Sequence, residues 1–166
     1  MYNKPVAYFI TFTTHGSWLH GDLRNSIVRD DGIPKLIGVN TRLYRQKQAK
    51  LKTPPVSLNK EQQFIVLETI IQHCRIRQWQ LIAAHVRGSH VHILVRADQA
   101  IGKVVNELKA WSTRKLRKAG YHIPKVWTVG GSKQYVFTDA KLREKIHYVI
   151  HEQGRMMEHY LDKGFR

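Results

Sequence analysis

The amino-acid sequence predicts an α+β fold of the ferredoxin-like, split βαβ kind: an antiparallel sheet with two helices on one face and an extra C-terminal helix. Three observations carry this expectation. Short β-branched and aromatic runs alternate with amphipathic segments in the order strand, helix, strand, strand, helix, strand. The two central strand runs are joined by the turn pair Arg87-Gly88, which makes the middle of the chain a hairpin. A further amphipathic segment follows the fourth strand, so one helix is left over when the plan is filled. With 166 residues the chain fits one domain with a proper core, so 1–166 reads as a single domain.

The elements follow in order. Val6 to Thr14 is rich in β-branched and aromatic residues, and as a strand it puts Tyr8, Ile10 and Phe12 on one face. The next stretch, 15–56, has Gly, Asn, Asp and Pro clusters and little periodicity. It reads as an extended basic insertion between the first strand and the first helix, with eight Lys/Arg against three Asp. Gripping phosphates and being a solvated insertion are equally compatible with that composition. Asn59 and Gln62 have capping-box spacing, and Phe64, Leu67, Ile71 and Cys74 recur as a helical stripe that ends near Gln78. Trp79 to Val86 and Ser89 to Arg96 form the hairpin strands. Asp98 stands where it can cap a second helix, whose apolar side is Ile101, Val104, Val105, Leu108 and Trp111 and which ends near Gly120. Its other side carries Lys103, Lys109, Arg114, Arg117 and Lys118, a surface for nucleic-acid backbone or an ordinary wet face. Val126 to Phe137 is strand material broken at Gly130-Gly131, and Thr138 or Asp139 caps a last helix that buries Leu142, Ile146, Val149 and Ile150.

Charge narrows the partner. Lys and Arg number 28 against 12 Asp and Glu, a net +16, which is the electrostatic footprint of a protein that meets a polyanion, most often nucleic acid. Cys74 is the one cysteine, which excludes an intramolecular disulfide and a thiolate zinc cage and makes the cytoplasm the default compartment. The first residues lack a leucine-rich signal core and no apolar run reaches about 18 residues, so no membrane partner is expected.

Candidate chemistry begins on the third strand. Alternation sends His90 and His92 to one face while Val91, Ile93 and Val95 point to the other, so two imidazoles share a rigid platform where a metal could bridge them. With ten histidines in the chain such a spacing arises by chance, and two polar residues on an exposed sheet face is the alternative. On the last helix Tyr148 and Glu152 share a face as an i, i+4 pair, whereas Gln153 falls about 140° from Tyr148, toward the buried stripe. A phenol and a carboxylate brought over two imidazoles would make a three-ligand metal site beside a nucleophile. Tyr135 and Tyr160 are rivals for that role. His147 and His151, a second i, i+4 pair, read as phosphate neighbours or surface residues, and Trp18, Trp111 and Trp127 as base-stacking or core aromatics.

The stretches YFITFTTHGSWLHGD, HVRGSHVHILV, AWSTRKLRKAG, VWTVGGSKQYVF and YVIHEQG, in this order over most of the chain, resemble the single-tyrosine HUH transposases, both the insertion-sequence-200-like kind and the REP-associated tyrosine transposases. The resemblance implies that His90 and His92 are the metal ligands, that Tyr148 is the nucleophile, and that the third ligand comes one helical turn after it. There the family has Gln or Asn and this chain has Glu152 followed by Gln153. Helical geometry favours Glu152, with Gln153 the alternative. The implied activity is cleavage and rejoining of single-stranded DNA at hairpin-bearing sites through a 5′-phosphotyrosine, with Mg²⁺ or Mn²⁺ as cofactor. Arg87, Lys109, Arg114, Arg117 and Lys118 are the candidate DNA contacts. A homodimer that exchanges helices is compatible with the resemblance, as is a nucleoid-associated, bacterial-type cytoplasmic location. Two other functions start from the same residues. A non-catalytic single-stranded nucleic-acid-binding module would use the open sheet face and its aromatics. A histidine-triad nucleotide hydrolase would require a third alternating histidine where this chain has Leu94.

Overall fold

Strand β1 (Ala7–Thr13) is apolar on both faces, Ala7 and Phe9 on one and Ile10 and Phe12 on the other, and such a strand belongs in the interior of a sheet covered on both sides. The computed structural model describes residues 4–22, 26–30 and 33–166. The segment 15–56 contains regular structure that its sequence did not announce: an antiparallel ribbon of β2 (Ser26–Asp30) and β3 (Ile33–Ile37), then helix α1 (Thr41–Ala49). Helix α1 buries no residue, which is why no apolar stripe marks it. Its start is set by Asn40, whose side chain accepts from the Leu43 N–H at 2.9 Å.

Helix α2 (Lys60–Ile76) begins with the expected capping box, Asn59 and Gln62 each accepting the other's backbone N–H at 2.9 Å. Strands β4 (Gln80–Val86) and β5 (His90–Arg96) form the hairpin, and α3 (Ile101–Lys118) follows. Asp98 is not its cap. The N-cap is Ala100 with no side-chain bond, and the Asp98 carboxylate instead accepts from the Trp79 indole N–H at 3.0 Å, tying the ends of the hairpin together. Strand β6 (Ser132–Val136) starts after Gly131, where φ is +150° and an added Cβ would stand 2.8 Å from the Thr11 carbonyl oxygen, leaving no place for a side chain. Helix α4 (Asp139–His151) is capped by Thr138, and a short edge strand β7 (Glu158–Leu161) and a 3-10 turn at Lys163–Phe165 follow.

The sheet runs β6-β1-β5-β4-β7, antiparallel throughout. Its first four positions are the split βαβ order, and β7 extends the β4 edge. Helices α2 and α3 pack on one face over Ile10, Phe12, Val91 and Ile93. Helix α4 packs on the other over Phe9, Ile82 and Leu94 through Leu142, Val149 and Ile150. The second face is therefore covered over part of its area by the leftover helix, and the sheet positions left beside α4 are those of the histidines. Among the described residues no helix is long and apolar enough to cross a membrane.

Candidate active site

The register of β5 fixes where its imidazoles lie. His92 stands opposite Thr11 on β1 and His85 on β4, and His90 opposite Thr13, so both rings rise on the α4 face of the sheet. Their centroids are 4.8 Å apart at 72°. Nδ1 of His92 lies 2.8 Å from the Thr11 hydroxyl, and Nδ1 of His90 3.0 Å from that of Ser89. A hydroxyl serves as donor or acceptor, so each ring keeps this bond whichever nitrogen carries the proton, and Nε2 is the nitrogen it can offer an ion. His92 is buried, and burial first, with His90 beside it, holds its pKa down to about 3. It is a neutral imidazole at any working pH, as a metal ligand must be.

The sign of the stability effect follows from that depression. Between pH 6.5, the ordinary value, and about 3 the unfolded chain binds a proton at His92 that the folded chain refuses. Unfolding free energy contributed there is therefore full above pH 6.5 and declines as pH falls toward 3. Urea titrations of chelator-treated protein across this window are expected to show a shallower decline in His92→Asn than in the parent.

Helix α4 brings the phenol. With Val149 and Ile150 buried against the sheet, Tyr148 falls at the helix margin, and its ring lies 5.5 Å from that of His92 at 75°. Phe9 braces both rings, stacked on His92 at 5.9 Å and edge-on to Tyr148 at 5.9 Å. The Lys145 ammonium sits 4.6 Å from the Phe9 ring centre and 5.7 Å from that of Tyr148. All of these groups come from one chain. The Tyr148 hydroxyl has no hydrogen bond among the described residues, so its oxygen is unencumbered. Of the rival tyrosines, Tyr135 packs on Tyr8 at the far sheet edge and Tyr160 packs toward the α2–α3 side, neither against the imidazole pair.

The structure places Glu152 and Gln153 differently from the helical extrapolation. Extrapolating 100° per residue assumes that the helix continues, but α4 ends at His151, Glu152 is its C-cap, and Gly154 turns the chain away at φ +71°. Glu152 consequently points outward, its Oε1 2.8 Å from Nδ1 of His147. Gln153 swings inward, donating from Nε2 to the Tyr148 carbonyl at 3.0 Å with its side chain beside His92. Among the described residues no three His, Cys, Asp or Glu side chains form a metal-binding group. The donor set brought together is thus two imidazoles and one neutral amide.

His85 is a contributor that sequence reasoning passed over. It is fully buried, its Nδ1 donating to the Val149 carbonyl at 2.9 Å and its Nε2 accepting from the Met157 N–H at 3.1 Å. That pattern requires the neutral ring, and burial lowers its pKa accordingly. One imidazole thus fastens both the end of α4 and the segment after it to the strand beside His92. The signal was a histidine in the otherwise apolar run LIAAHV. His85→Ala is expected to cost about 2–4 kcal/mol in urea unfolding, because two buried backbone groups lose their partners.

The candidate DNA contacts separate. Arg87 lies beside the site, donating to the Arg155 carbonyl at 2.8 Å. Lys109, Arg114, Arg117 and Lys118 are on α3, across the sheet from the imidazoles. The Lys109 ammonium is committed within the protein, to the carbonyls of Thr128 at 2.7 Å and of Gly130, and burial pushes its pKa down to about 8. Arg114 lies over the Trp111 ring at 4.9 Å, while Arg117 and Lys118 are exposed.

Comparison with known proteins agrees with this architecture. The family model for IS200-like transposases matches residues 52–138, a span that includes His90 and His92 and ends at the N-cap of α4, before Tyr148. No curated protein matches the chain. A solved REP-associated tyrosine transposase bound to a REP hairpin superposes with a TM-score of 0.55 at 14% identity, over 92% of this chain and 69% of that one. A candidate transposase from Deinococcus radiodurans R1 gives a TM-score of 0.47 at 15% identity, over 89% of this chain and 91% of that one.

Proposed function

The chain belongs to the family of IS200-like transposases, and from that premise we propose that it is a metal-dependent single-strand DNA transesterase with Tyr148 as nucleophile. The observation that carries this reading is the convergence of the Tyr148 ring and the Gln153 side chain on His92.

The two imidazoles and the Gln153 amide are all neutral, so they would hold a divalent ion weakly and leave room for the oxygen ligands from substrate and water that a hard ion prefers. Mg²⁺ or Mn²⁺, held by His90, His92 and Gln153, would draw negative charge off a non-bridging phosphate oxygen. The protein supplies the remainder. Phe9 and the end of α4 hold the Tyr148 ring in one orientation, which converts attack into a positioned, near-unimolecular event. As the phenol oxygen bonds to phosphorus it gives up its proton, and the bond from phosphorus to the 3′ oxygen breaks. That oxygen takes up a proton and departs as a 3′-hydroxyl, leaving a 5′-phosphotyrosine. One phosphodiester replaces another, so a 3′-hydroxyl attacking the phosphotyrosine reverses the step and joins DNA without ATP. The Lys145 ammonium offsets charge accumulating around the phenol oxygen, and Lys145→Ala is expected to slow strand cleavage about ten- to hundredfold with little effect on binding, in single-turnover assays.

Hairpin-bearing single strands are the proposed substrate, on the strength of the net +16 and of the fold shared with a REP-associated transposase solved with a REP hairpin. The test mixes purified protein with Mg²⁺ or Mn²⁺ and labelled single strands from the flanks of its own gene. A protein–DNA adduct that survives denaturation and disappears with chelator is the expected result. No adduct with either strand, at stoichiometric protein and either metal, overturns the reading.

A further inference from the structure

On the flank of α4 opposite Lys145 lies a cavity of about 510 Å³, and we propose that it is a subsite for one unpaired nucleotide of the DNA strand, phosphate and base together. The inference rests on the transesterase reading and adds where the strand goes on leaving the nucleophile. Helical spacing puts His147 and His151 one residue before and three after Tyr148, so their rings, 5.1 Å apart and tilted at 43°, form the wall of the cavity nearest the phenol. Arg143 and Arg166 also line it, and neither side chain has a hydrogen bond or ion pair among the described residues. Asp139 is the one carboxylate side chain in the lining. Two uncommitted guanidiniums facing one carboxylate leave a positive balance that a phosphodiester would satisfy in a fork-like, bidentate manner.

The floor suits a base. Phe165, half-buried, presents its ring with the Arg96 guanidinium 5.7 Å from the centroid, and that guanidinium is itself fixed by the Val6 carbonyl and the Gln80 side chain at 2.8 and 2.9 Å. An aromatic ring backed by an immobilised cation is a platform on which any base can stack, whatever its sequence. The volume is in the range of small-molecule pockets, about 300–1,000 Å³. The path is short as well: crossing the width of a helix is about 10 Å, a distance that a few nucleotides of strand span.

The experiment uses full-length Tyr148→Phe protein, so that binding is read without chemistry, and follows the anisotropy of fluorescein-labelled oligothymidylate across a salt series. Arg143→Gln in that background is expected to weaken binding and to flatten the slope of log K against log salt by about 0.7, the single-strand value for one lost phosphate contact. Phe165→Ala is expected to weaken it about five- to hundredfold with the slope unchanged. Lys60→Gln, a charge removed from the start of α2, serves as the control and is expected to change neither. Arg143 is exposed on α4, so its variant reports on the site even where Phe165→Ala loosens the C-terminal turn. Normal affinity and slope in both pocket variants, or an equal loss in the Lys60 control, overturns the subsite while the transesterase reading stands. A parent that binds no single strand overturns both.

Discussion

Tyr148→Phe protein is expected to bind hairpin-bearing single strands as the parent does and to form no covalent adduct, a loss of at least about a thousandfold in strand cleavage. Each contact of this side chain belongs to its ring: the rings of Phe9 and His92, both steeply inclined to it, and the nearby Lys145 ammonium. Phenylalanine preserves all of them. The hydroxyl that is removed has no partner among the described residues, so the change leaves no buried group unsatisfied and is expected to move stability by less than about 0.5 kcal/mol. A change in turnover therefore reports on the missing oxygen alone. Tyr135→Phe and Tyr160→Phe are the matched controls, since their rings pack elsewhere, and both are expected to retain the adduct. An adduct that persists in Tyr148→Phe and vanishes in either control moves the nucleophile off α4. Gel analysis after denaturation, with end-labelled strands and Mn²⁺, reads all three.

Much of this arrangement was legible because it follows from periodicity. The alternation of HVHILV sends both imidazoles to one face irrespective of what covers them, and the stripe Leu142, Ile146, Val149, Ile150 orients α4 so that Tyr148 comes out at its margin. The capping box at Asn59 and Gln62 declares itself through side-chain chemistry three residues apart. What was not legible lies where local pattern and tertiary position part company. Helix α1 has no apolar stripe because it buries nothing, and β7 is four residues, none of them buried, whose pairing depends on a β4 edge about 75 residues earlier in the chain. Lys109 looked like a surface cation because nothing within a turn of it tells of the Thr128 and Gly130 carbonyls that hold it. Asp98 stood at a capping position, but the Trp79 indole, distant in sequence, claimed its carboxylate.

The exchange of Glu152 for Gln153 gives the second large effect. Gln153→Ala is expected to slow adduct formation about ten- to hundredfold and to shift the Mn²⁺ requirement upward, whereas Glu152→Ala is expected to change neither by more than about twofold. The asymmetry originates in one backbone event, the termination of α4 at His151. Past that point Glu152 takes its outward bond to His147, and Gln153 turns back under the Tyr148 carbonyl to reach His92. A carboxylate paired with an exposed imidazole is hydrated and distant from the sheet, so losing it removes at most a surface ion pair, worth about 0–1 kcal/mol. Losing the amide removes an oxygen donor and frees the carbonyl of the nucleophile's own residue, which loosens metal and phenol together. Gln153→Glu separates these two roles: a carboxylate keeps the donor and tightens the ion but cannot donate to the Tyr148 carbonyl. The Mn²⁺ requirement should therefore fall in that variant while the rate at saturating Mn²⁺ falls too. If Glu152→Ala is the crippled variant and Gln153→Ala is not, the end of α4 must rewind when the ion binds. Hydrogen exchange at the amides of 152–154, with and without Mn²⁺, would then show an added turn of protection.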